Sequence, residues 1–282
     1  MKKLLAGLIG AGIQGSLAPA LQEEEARHHG LRLHYQLIDL DTVTAGVEML
    51  PALITAARVM GFAGLNITYP CKQSVIPLLD DLSEEARAIG AVNTVVREGD
   101  RLVGHNTDGS GWSWGFRRAL PEADLSRVVL LGAGGAGSAC ADAVLRLGAR
   151  ELLIVDLDRD RAATLAERLN AHFPGRRVKA APDAESALEG ATGLIQATPV
   201  GMAGQPGMPV PERLLQPSMW VSEIVYVPLE TLLMKAARRI GCSIVDGGYM
   251  NVGQAAGAFK LFTGLDADPA RMDAHFRNLV AS

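Results

Sequence analysis

Short apolar runs in the first part of the chain alternate with segments whose apolar residues recur at helical spacing. The runs at residues 4–9, 33–40 and 63–68 predict strands. The helical spacing at residues 19–29 and 47–60 predicts the helices between them, and a glycine follows each helix. This order of strands and helices indicates a parallel α/β arrangement.

The same part of the chain contains a hairpin signal. Residues 92–97 and 101–105 flank a polar Glu-Gly-Asp turn, which predicts antiparallel strands and therefore a mixed sheet. Short helices are expected to begin near Pro70, a favoured first-turn residue, and after Ser83, a favoured N-cap. The consecutive glutamates at 23–25 are expected on the solvent side of the first helix.

A glycine cluster interrupts the apolar pattern in the middle of the chain. Gly132, Gly134 and Gly137 fit G-x-G-x-x-G between an apolar strand and an Ala-rich helix. The backbone N–H groups of such a turn approach a pyrophosphate at the positive end of the helix, and no side chain is needed. The sequence therefore predicts a dinucleotide site formed by the whole turn, which comprises Gly132, Ala133, Gly134, Gly135, Ala136 and Gly137.

Asp156 ends the next predicted strand and indicates which dinucleotide binds. A carboxylate there can accept hydrogen bonds from the adenosine ribose, whereas the 2′-phosphate of NADP meets a like charge. NAD is therefore favoured over NADP. Arg159 and Arg161 leave an alternative open, because either could bind a phosphate or be a solvated residue of the next helix. Arg161 is therefore one of the candidate residues for contact with the cofactor.

The rest of the chain continues the alternation. A helix over residues 109–120 precedes the glycine turn, later strands are expected at 194–197 and 220–224, and the last helix is expected at 248–264.

The predicted fold class is α/β with two domains, since 282 residues exceed a comfortable single core. Residues 1–108 and 247–282 are expected to form a substrate domain with a mixed sheet, to which the C-terminal helix returns. Residues 109–246 are expected to form a Rossmann-type NAD-binding domain.

Composition excludes several other classes of protein. The net charge of −4 provides no general attraction for nucleic acid or an anionic membrane. No apolar run approaches the roughly 18 residues that span a bilayer. The three cysteines form no CxxC pair and the histidines lack metal-ligand spacing, so we expect no metal site, and a reducing cytoplasm fits.

Lys72 has an electrostatically unusual predicted position. In a helix that begins at Pro70, its ammonium group lies in the first turn, where the helix dipole disfavours a cation by about 0.3 to 1 kcal/mol. The same field makes the neutral amine more accessible, which suits proton transfer. Asp108 could supply a carboxylate partner, or it could simply cap the helix at 109–120.

Polar residues also gather in short stretches, several of them at predicted strand ends, which line the ligand crevice of an open α/β sheet. Asn66, Asn93 and Asn106 could each be only turn residues, and Gln254 could lie on an exposed helix face. The stretches are GSLAP at 15–19, NITYPCK at 66–72, AVNTVV at 91–96, GHNTD at 104–108 and GYMNVGQA at 248–255.

Taken together, these stretches resemble the shikimate dehydrogenase family over essentially the whole chain. GLNITYPCK is similar to the family's G-x-N-x-T-x-P-x-K, and AVNT and HNTD are similar to its next two signatures. The glycine turn, QATPVGM at 196–202, Tyr226 followed by Pro228, and Gln254 then come in the family's order.

The resemblance implies hydride transfer between a nicotinamide cofactor and a cyclohexane or cyclohexene carboxylate. The family reduces 3-dehydroshikimate to shikimate, or interconverts quinate and its 3-keto form. By this resemblance Lys72 and Asp108 are the catalytic pair, and Ile224 and Gly247 lie close to the nicotinamide. The substrate-binding residues it implies are Ser16, Thr68, Asn93, Tyr226 and Gln254.

Two departures from the family pattern affect specificity. Asp156, Leu157 and Asp158 replace the Asn-Arg-Thr typical of NADP-using members, so the chain resembles the NAD-preferring quinate/shikimate branch. Ser16 and Ala18 stand where the family usually has two hydroxyl residues for the substrate carboxylate. The loss of one hydrogen bond to a charged group costs about 1.5 to 3 kcal/mol. Gln196 also replaces the usual Asn of the family's Asn-Ala-Thr stretch, and the sequence leaves its effect open.

Three hypotheses follow from the sequence. The first is an NAD-dependent shikimate or quinate dehydrogenase, and the second is a dehydrogenase of an amino-substituted or otherwise modified analogue accommodated at Ala18. The third is a non-catalytic homologue that senses NAD and a metabolite, although a sensor has no need for both Lys72 and Asp108. The expected partner is the small-molecule acid, and the chain is expected to be a monomer or a homodimer.

Overall fold

The computed structural model describes residues 3–42 and 46–281, where the alternating pattern becomes two α/β sheets. The strands are β1 (Lys3–Gly10), β2 (Arg32–Asp39), β3 (Gly64–Ile67), β4 (Asp81–Leu82), β5 (Thr94–Glu98), β6 (Arg101–His105), β7 (Arg127–Leu131), β8 (Glu151–Val155), β9 (Arg177–Ala180), β10 (Gly193–Gln196), β11 (Trp220–Glu223) and β12 (Ser243–Val245). The α-helices are α1 (Ala18–His28), α2 (Leu50–Met60), α3 (Cys71–Ser74), α4 (Glu84–Ile89), α5 (Asp108–Ala119), α6 (Gly135–Leu147), α7 (Arg159–His172), α8 (Ala184–Leu188), α9 (Leu232–Ile240), α10 (Gly247–Thr263) and α11 (Pro269–Ala281).

The chain divides into two compact units. The first contains the described residues up to Thr107 together with those from Gln254 onward, and the second is Asp108–Gly253. Helix α10 begins in the second unit and continues in the first. Each unit contains one six-stranded sheet with helices, so the predicted α/β class is confirmed.

The sheet of the first unit is mixed, as the hairpin signal predicted. Its strand order is β2-β1-β3-β5-β6-β4. Strand β1 runs parallel to β2 and β3, whereas β5 runs antiparallel to both β3 and β6. The carboxyl ends of β1, β3 and β6 and the beginning of β5 therefore lie along the same edge.

Helix α11, which the sequence pattern did not predict, changes the surroundings of α1. The side chain of Glu25 is only 1% exposed. Its carboxylate accepts hydrogen bonds from Nε and Nη2 of Arg271 at 2.9 and 2.6 Å, and from the N–H of Asp268 at 2.9 Å. The expectation that residues 23–25 all face solvent is therefore wrong for Glu25, because a remote helix covers this side of α1 and supplies its counter-ion.

The sheet of the second unit is entirely parallel. Its order, β12-β11-β10-β7-β8-β9, is the doubly wound order in which the first strand of the unit, β7, lies next to the reversal point. Strands β9 and β12 were not predicted, because only one residue of β9 is buried and β12 has only three residues. None of the described helices is long and apolar enough to cross a membrane.

Candidate active site

The topology of the first unit collects five of the predicted site residues near one sheet edge. Ser16 follows β1, Thr68 follows β3, and Lys72 lies in α3, which comes next. Asn93 immediately precedes β5, and Gln254 lies in α10. A backbone hydrogen bond joins the loops after β1 and β3, because the N–H of Ala11 donates to the carbonyl of Tyr69 at 2.9 Å.

The loop that leads to Ser16 is held by a carboxylate that the sequence analysis missed. Asp39, buried at the end of β2, accepts hydrogen bonds from the backbone of Gly12 at 3.0 Å and of Ile13 at 3.1 Å. It also accepts one from Nε2 of Gln14 at 3.0 Å. Burial alone would raise the pKa of Asp39, but the hydrogen bonds to it outweigh that effect and lower the pKa. The carboxylate therefore stays ionised and keeps the turn in place.

Ser16 provides the only hydroxyl at the two positions, 16 and 18, where the family usually has two hydroxyl residues. Its Oγ accepts a hydrogen bond from the N–H of Ala18 at 3.2 Å, at the beginning of α1. This contact uses a lone pair of the hydroxyl and not its hydrogen, so the O–H can still donate to a carboxylate. Ala18 adds no donor of its own beyond the backbone.

Thr68 is fixed by backbone contacts on both sides. Its N–H donates to the carbonyl of Ile9 at 2.9 Å, and its carbonyl accepts from the N–H of Cys71 at 2.8 Å. A Cβ on Gly10 would overlap Cγ2 of Thr68, so only glycine fits at the end of β1. The close approach of β1 therefore sets the position of Thr68.

Lys72 lies in a single helical turn, and this corrects the expectation that a helix dipole acts on its ammonium group. Helix α3 has only four residues, and Pro70 precedes it as N-cap. So few aligned peptide groups produce little macrodipole, and the ammonium of Lys72 therefore does not lie in the helix field that the sequence predicted. The backbone of Lys72 is instead tied to the segment that precedes β5, because its carbonyl accepts from the N–H of Val92 at 2.8 Å.

Asn93 belongs to a buried polar network and not to a solvent-exposed turn. Its Oδ1 accepts from the N–H of Thr107 at 2.8 Å, and its Nδ2 donates to Oγ1 of Thr107 at 2.9 Å. The hydroxyl of Thr107 lies 3.0 Å from the backbone oxygen of Gln254 and donates to it. Thr107 therefore connects Asn93 with the part of α10 that carries Gln254.

Asn66 and Tyr35 form the layer behind Asn93. The hydroxyl of Tyr35 donates to Oδ1 of Asn66 at 2.7 Å, and Nδ2 of Asn66 donates to the backbone oxygen of Asn93 at 3.2 Å. Asn66 lies within β3, so it is not a turn residue. Asn106 is also buried, and its Nδ2 donates to the carbonyl of Ala91 at 2.9 Å. The buried side-chain amides of Asn66 and Asn106 therefore hold the backbone of residues 91–93 in place.

The glycine turn of the second unit has the geometry that close backbone approach requires. Gly132 has φ +93°, and a Cβ on it would lie 2.7 Å from the carbonyl oxygen of Ala197. A Cβ on Gly137 would overlap the carbonyl of Gly132, so α6 packs tightly against the turn. Gly134 is the N-cap of α6 and has no side-chain cap, and a Cβ there would meet nothing within 4 Å. Ala133, Gly135 and Ala136 complete the turn, whose open side and amide-rich helix end suit a pyrophosphate.

Asp156 is built into the same turn. Its Oδ2 accepts from the N–H of Ala133 at 2.6 Å, and its Oδ1 accepts from the N–H of Asp158 at 2.8 Å. The guanidinium of Arg161 lies 3.3 Å from Asp158 and 3.9 Å from Asp156. The guanidinium of Arg161 therefore faces two carboxylates.

The remaining candidates lie on the second unit. Asp108 is the buried first residue of α5. Ile224 follows β11, and a Cβ on Gly247 would overlap the carbonyl group of Val225, so Gly247 packs directly against this segment. Tyr226 is largely covered, and burial raises the pKa of its phenol.

Gln196, whose effect the sequence left open, has a structural role. Its Oε1 accepts from the N–H and the hydroxyl of Thr198, both at 3.0 Å, and its Nε2 donates to the carbonyl of Val200 at 2.8 Å. The longer side chain therefore spans and orders the loop after β10.

A doubly wound parallel sheet, an open glycine turn and a carboxylate at the end of the second strand are the features of a dinucleotide-binding enzyme. Residues 8–95 match the family model described as shikimate dehydrogenase substrate binding domain. The chain belongs to the shikimate dehydrogenase family. It is 54% identical over 280 residues to the NADP(+) shikimate dehydrogenase of Streptomyces avermitilis, with 99% of this chain and 96% of that protein covered.

Relatives named for the other nucleotide are also similar. The NAD(+) quinate/shikimate dehydrogenase of Corynebacterium efficiens is 45% identical over 280 residues, 98% of each chain. Among solved structures, the quinate dehydrogenase of Corynebacterium glutamicum in complex with NAD superposes with TM-score 0.92 at 42% identity, covering 99% of this chain and 100% of that one. The chain is thus an NAD(P)-dependent dehydrogenase that acts on a CH–OH group.

Proposed function

We propose that this enzyme uses NAD to interconvert a ring hydroxyl and a ketone of shikimate or quinate, with Lys72 and Asp108 as its catalytic pair. The products of oxidation are 3-dehydroshikimate or 3-dehydroquinate. The observation that carries the proposal is the carboxylate of Asp156, hydrogen-bonded into the glycine turn beside Asp158.

The preference for NAD follows from the acceptors at this position. A carboxylate has about four lone-pair sites that can accept hydrogen bonds. In Asp156 two backbone N–H groups donate to the carboxylate, so about two of these sites are left for other donors. It can therefore also accept from the ribose hydroxyls. A 2′-phosphate would meet the charges of Asp156 and Asp158, and Arg161 already faces both of them. The similarity to NAD(+) quinate/shikimate dehydrogenase supports this choice, and the similarity to the NADP(+) enzyme is the reason to test it.

The substrate acid is proposed to bind through neutral donors and acceptors. Its carboxylate would be held by the hydroxyls of Ser16 and Tyr226, and its ring hydroxyls by Thr68, Asn93 and Gln254. The missing hydroxyl at Ala18 should weaken the hold on the carboxylate by about 1.5 to 3 kcal/mol, or roughly one to two orders of magnitude in affinity.

The proposed chemistry divides between the cofactor and the two catalytic side chains. NAD, when bound, accepts the hydride, and Ile224 and Gly247 would lie beside its nicotinamide. In oxidation the neutral amine of Lys72 takes the proton of the reacting hydroxyl, and in reduction its ammonium returns that proton. Asp108 would orient the lysine and hydrogen-bond a ring hydroxyl.

The test is the absorbance of the reduced nicotinamide during incubation with shikimate and with quinate, each with NAD and with NADP. We expect turnover of at least one acid and a higher kcat/KM with NAD. Preference for NADP would overturn the cofactor assignment, and no turnover of either acid would overturn the substrate assignment.

Ala18 favours one alternative, a dehydrogenase of an amino-substituted or otherwise modified analogue. A small apolar side chain leaves room where the family usually has a hydroxyl. A panel of such analogues, assayed with NAD, distinguishes this function: kcat/KM for one of them would exceed that for shikimate and quinate.

A further inference from the structure

Glu223, a residue without an assigned role, is a carboxyl group buried at the end of β11 with 1% of its surface exposed. One carboxyl oxygen, Oε1, accepts from the N–H of Ile224 and from the N–H of Val225, both at 3.0 Å. The N–H of Ile224 also donates to the carbonyl of Gln196 at 3.1 Å, whereas the N–H of Val225 donates to Oε1 of Glu223. The side chain therefore folds back over the residues that follow it.

The other carboxyl oxygen holds the far end of the same loop. Oε2 accepts from the hydroxyl of Thr231 at 3.0 Å, and Thr231 is itself buried. The Oγ1 of Thr231 accepts in turn from the N–H of Met234 at 3.2 Å, as the N-cap of α9. One carboxyl group thus joins the beginning of the 224–231 loop to the residue that starts the next helix.

The loop is also packed from two other sides within the second unit. Gly247 lies against the carbonyl group of Val225, and the N–H of Ala203 donates to the carbonyl of Val227 at 3.2 Å. These contacts act on the middle of the loop, whereas Glu223 holds its two ends. Burial raises the pKa of Glu223 to about 7, although its three hydrogen bonds favour the charged form. The hydrogen bonds from two backbone amides and a hydroxyl all suit an ionised acceptor.

We infer that Glu223 is a positioning residue, which holds residues 224–226 so that Ile224 meets the nicotinamide and Tyr226 meets the acid. The inference rests on the proposed function for the roles of Ile224 and Tyr226. The contacts of Glu223 themselves do not depend on it. Glu223 acts through these two neighbours and touches neither cofactor nor substrate.

The test compares Glu223→Gln and Glu223→Asp with the unchanged enzyme at a pH above 7. The Gln side chain has the same length and keeps one acceptor oxygen, but it carries no charge, so its hydrogen bonds to the loop lose their charge assistance. We expect hydrogen exchange at the Val225 amide to become about tenfold faster or more, as the loss of a charge-assisted hydrogen bond predicts. We also expect kcat to fall about tenfold and the KM of the acid to rise, with the NADH dissociation constant changed by less than about threefold. Glu223→Asp, which keeps the charge, should recover part of kcat.

Three further variants separate positioning from a general loss of stability. Asp183→Ala removes the N-cap of α8, a carboxylate cap in the same unit but outside the proposed site, and should leave kcat unchanged. Thr231→Ser keeps the hydroxyl that Glu223 accepts from and should remain close to the unchanged enzyme, whereas Thr231→Val should behave like Glu223→Gln. Melting temperatures of all variants show how much folded protein each assay contains.

The outcomes distinguish the two proposals. Unchanged kcat and KM in Glu223→Gln, or equal losses in Glu223→Gln and Asp183→Ala, would overturn the positioning role. If the unchanged enzyme turns over neither acid, the proposed function fails, and Val225 exchange then decides about Glu223. Exchange that stays at the original rate would show that Glu223 does not hold the segment, and faster exchange would show that it does.

Discussion

The backbone nitrogen of Ala133 lies 2.6 Å from Oδ2 of Asp156, and its N–H donates to that carboxylate. The residue proposed to select the nucleotide is therefore tied to the turn proposed to bind its pyrophosphate. A change at Asp156 acts on both the ribose contact and the shape of the turn, so an experiment has to separate its charge from its hydrogen bond.

Asp156→Asn separates the charge from the contact to the glycine turn, because the amide keeps an acceptor oxygen for the N–H of Ala133 and loses both the negative charge and the acceptor for Asp158. We expect the ratio of kcat/KM with NAD to kcat/KM with NADP to fall by about tenfold or more. Asp160→Asn is the matched control, since it removes an exposed carboxylate from the first turn of α7 and should leave the ratio unchanged. Equal effects of the two variants would mean that only the overall charge of the region matters.

Lys72→Ala tests the proposed proton transfer. We expect kcat to fall by at least about two orders of magnitude, the usual contribution of a general acid or base, with little change in NAD binding. Lys260→Ala removes an exposed lysine that pairs with Asp266 and should keep full activity. Turnover in Lys72→Ala close to that of the unchanged enzyme would remove the lysine from the mechanism.

Ala18→Ser tests where the substrate carboxylate binds. The new hydroxyl stands next to Ser16 at the beginning of α1 and should lower the KM for shikimate by about tenfold, because it adds a hydrogen bond to a charged group. The comparison with Ser16→Ala, which should raise this KM, completes the test. A KM that does not fall in Ala18→Ser would place the carboxylate elsewhere and favour a modified substrate.

The free energy of unfolding should depend on pH because burial raises the pKa of Glu223. Its pKa is raised from 4.5 to about 7 in the folded protein, so folding takes up a proton between these two values. The contribution of Glu223 to the free energy of unfolding is greatest below pH 4.5 and decreases as the pH rises to about 7, by about 3 kcal/mol in total. Urea unfolding of the unchanged enzyme and of Glu223→Gln across this range measures the difference. A difference that stays constant with pH would show that Glu223 does not titrate there.

Arg271→Ala tests the contact between α1 and α11. The variant leaves the carboxylate of Glu25 buried without its guanidinium, which for a fully buried pair costs about 3 to 5 kcal/mol. Because the side chain of Arg271 is 34% exposed, we expect a smaller loss, about 2 kcal/mol. Arg277→Ala, which removes an ion pair with Asp273 within α11, should cost less than about 1 kcal/mol. Chemical unfolding of the two variants provides the comparison, and equal losses would contradict a special role for the pair.

The local sequence was sufficient to predict the structure wherever the interacting residues belong to one continuous supersecondary unit. The glycine turn and Asp156 lie in a single strand-helix-strand segment, and short-range backbone geometry dictates such a segment. The hairpin that makes the first sheet mixed is equally local. For these reasons the α/β class and the order of most elements could be predicted, and the structure confirms that class.

Tertiary structure decided which charges are buried and what holds the loops. Glu25 looks solvent-exposed on its own helix, and only the arrival of α11 from the other end of the sequence buries it. Asp39 and Glu223 end ordinary strands, and their loop-holding role depends on where the following chain turns back. A periodic pattern records which face of an element is apolar, but the partner of a buried polar group comes from whichever distant segment packs against it.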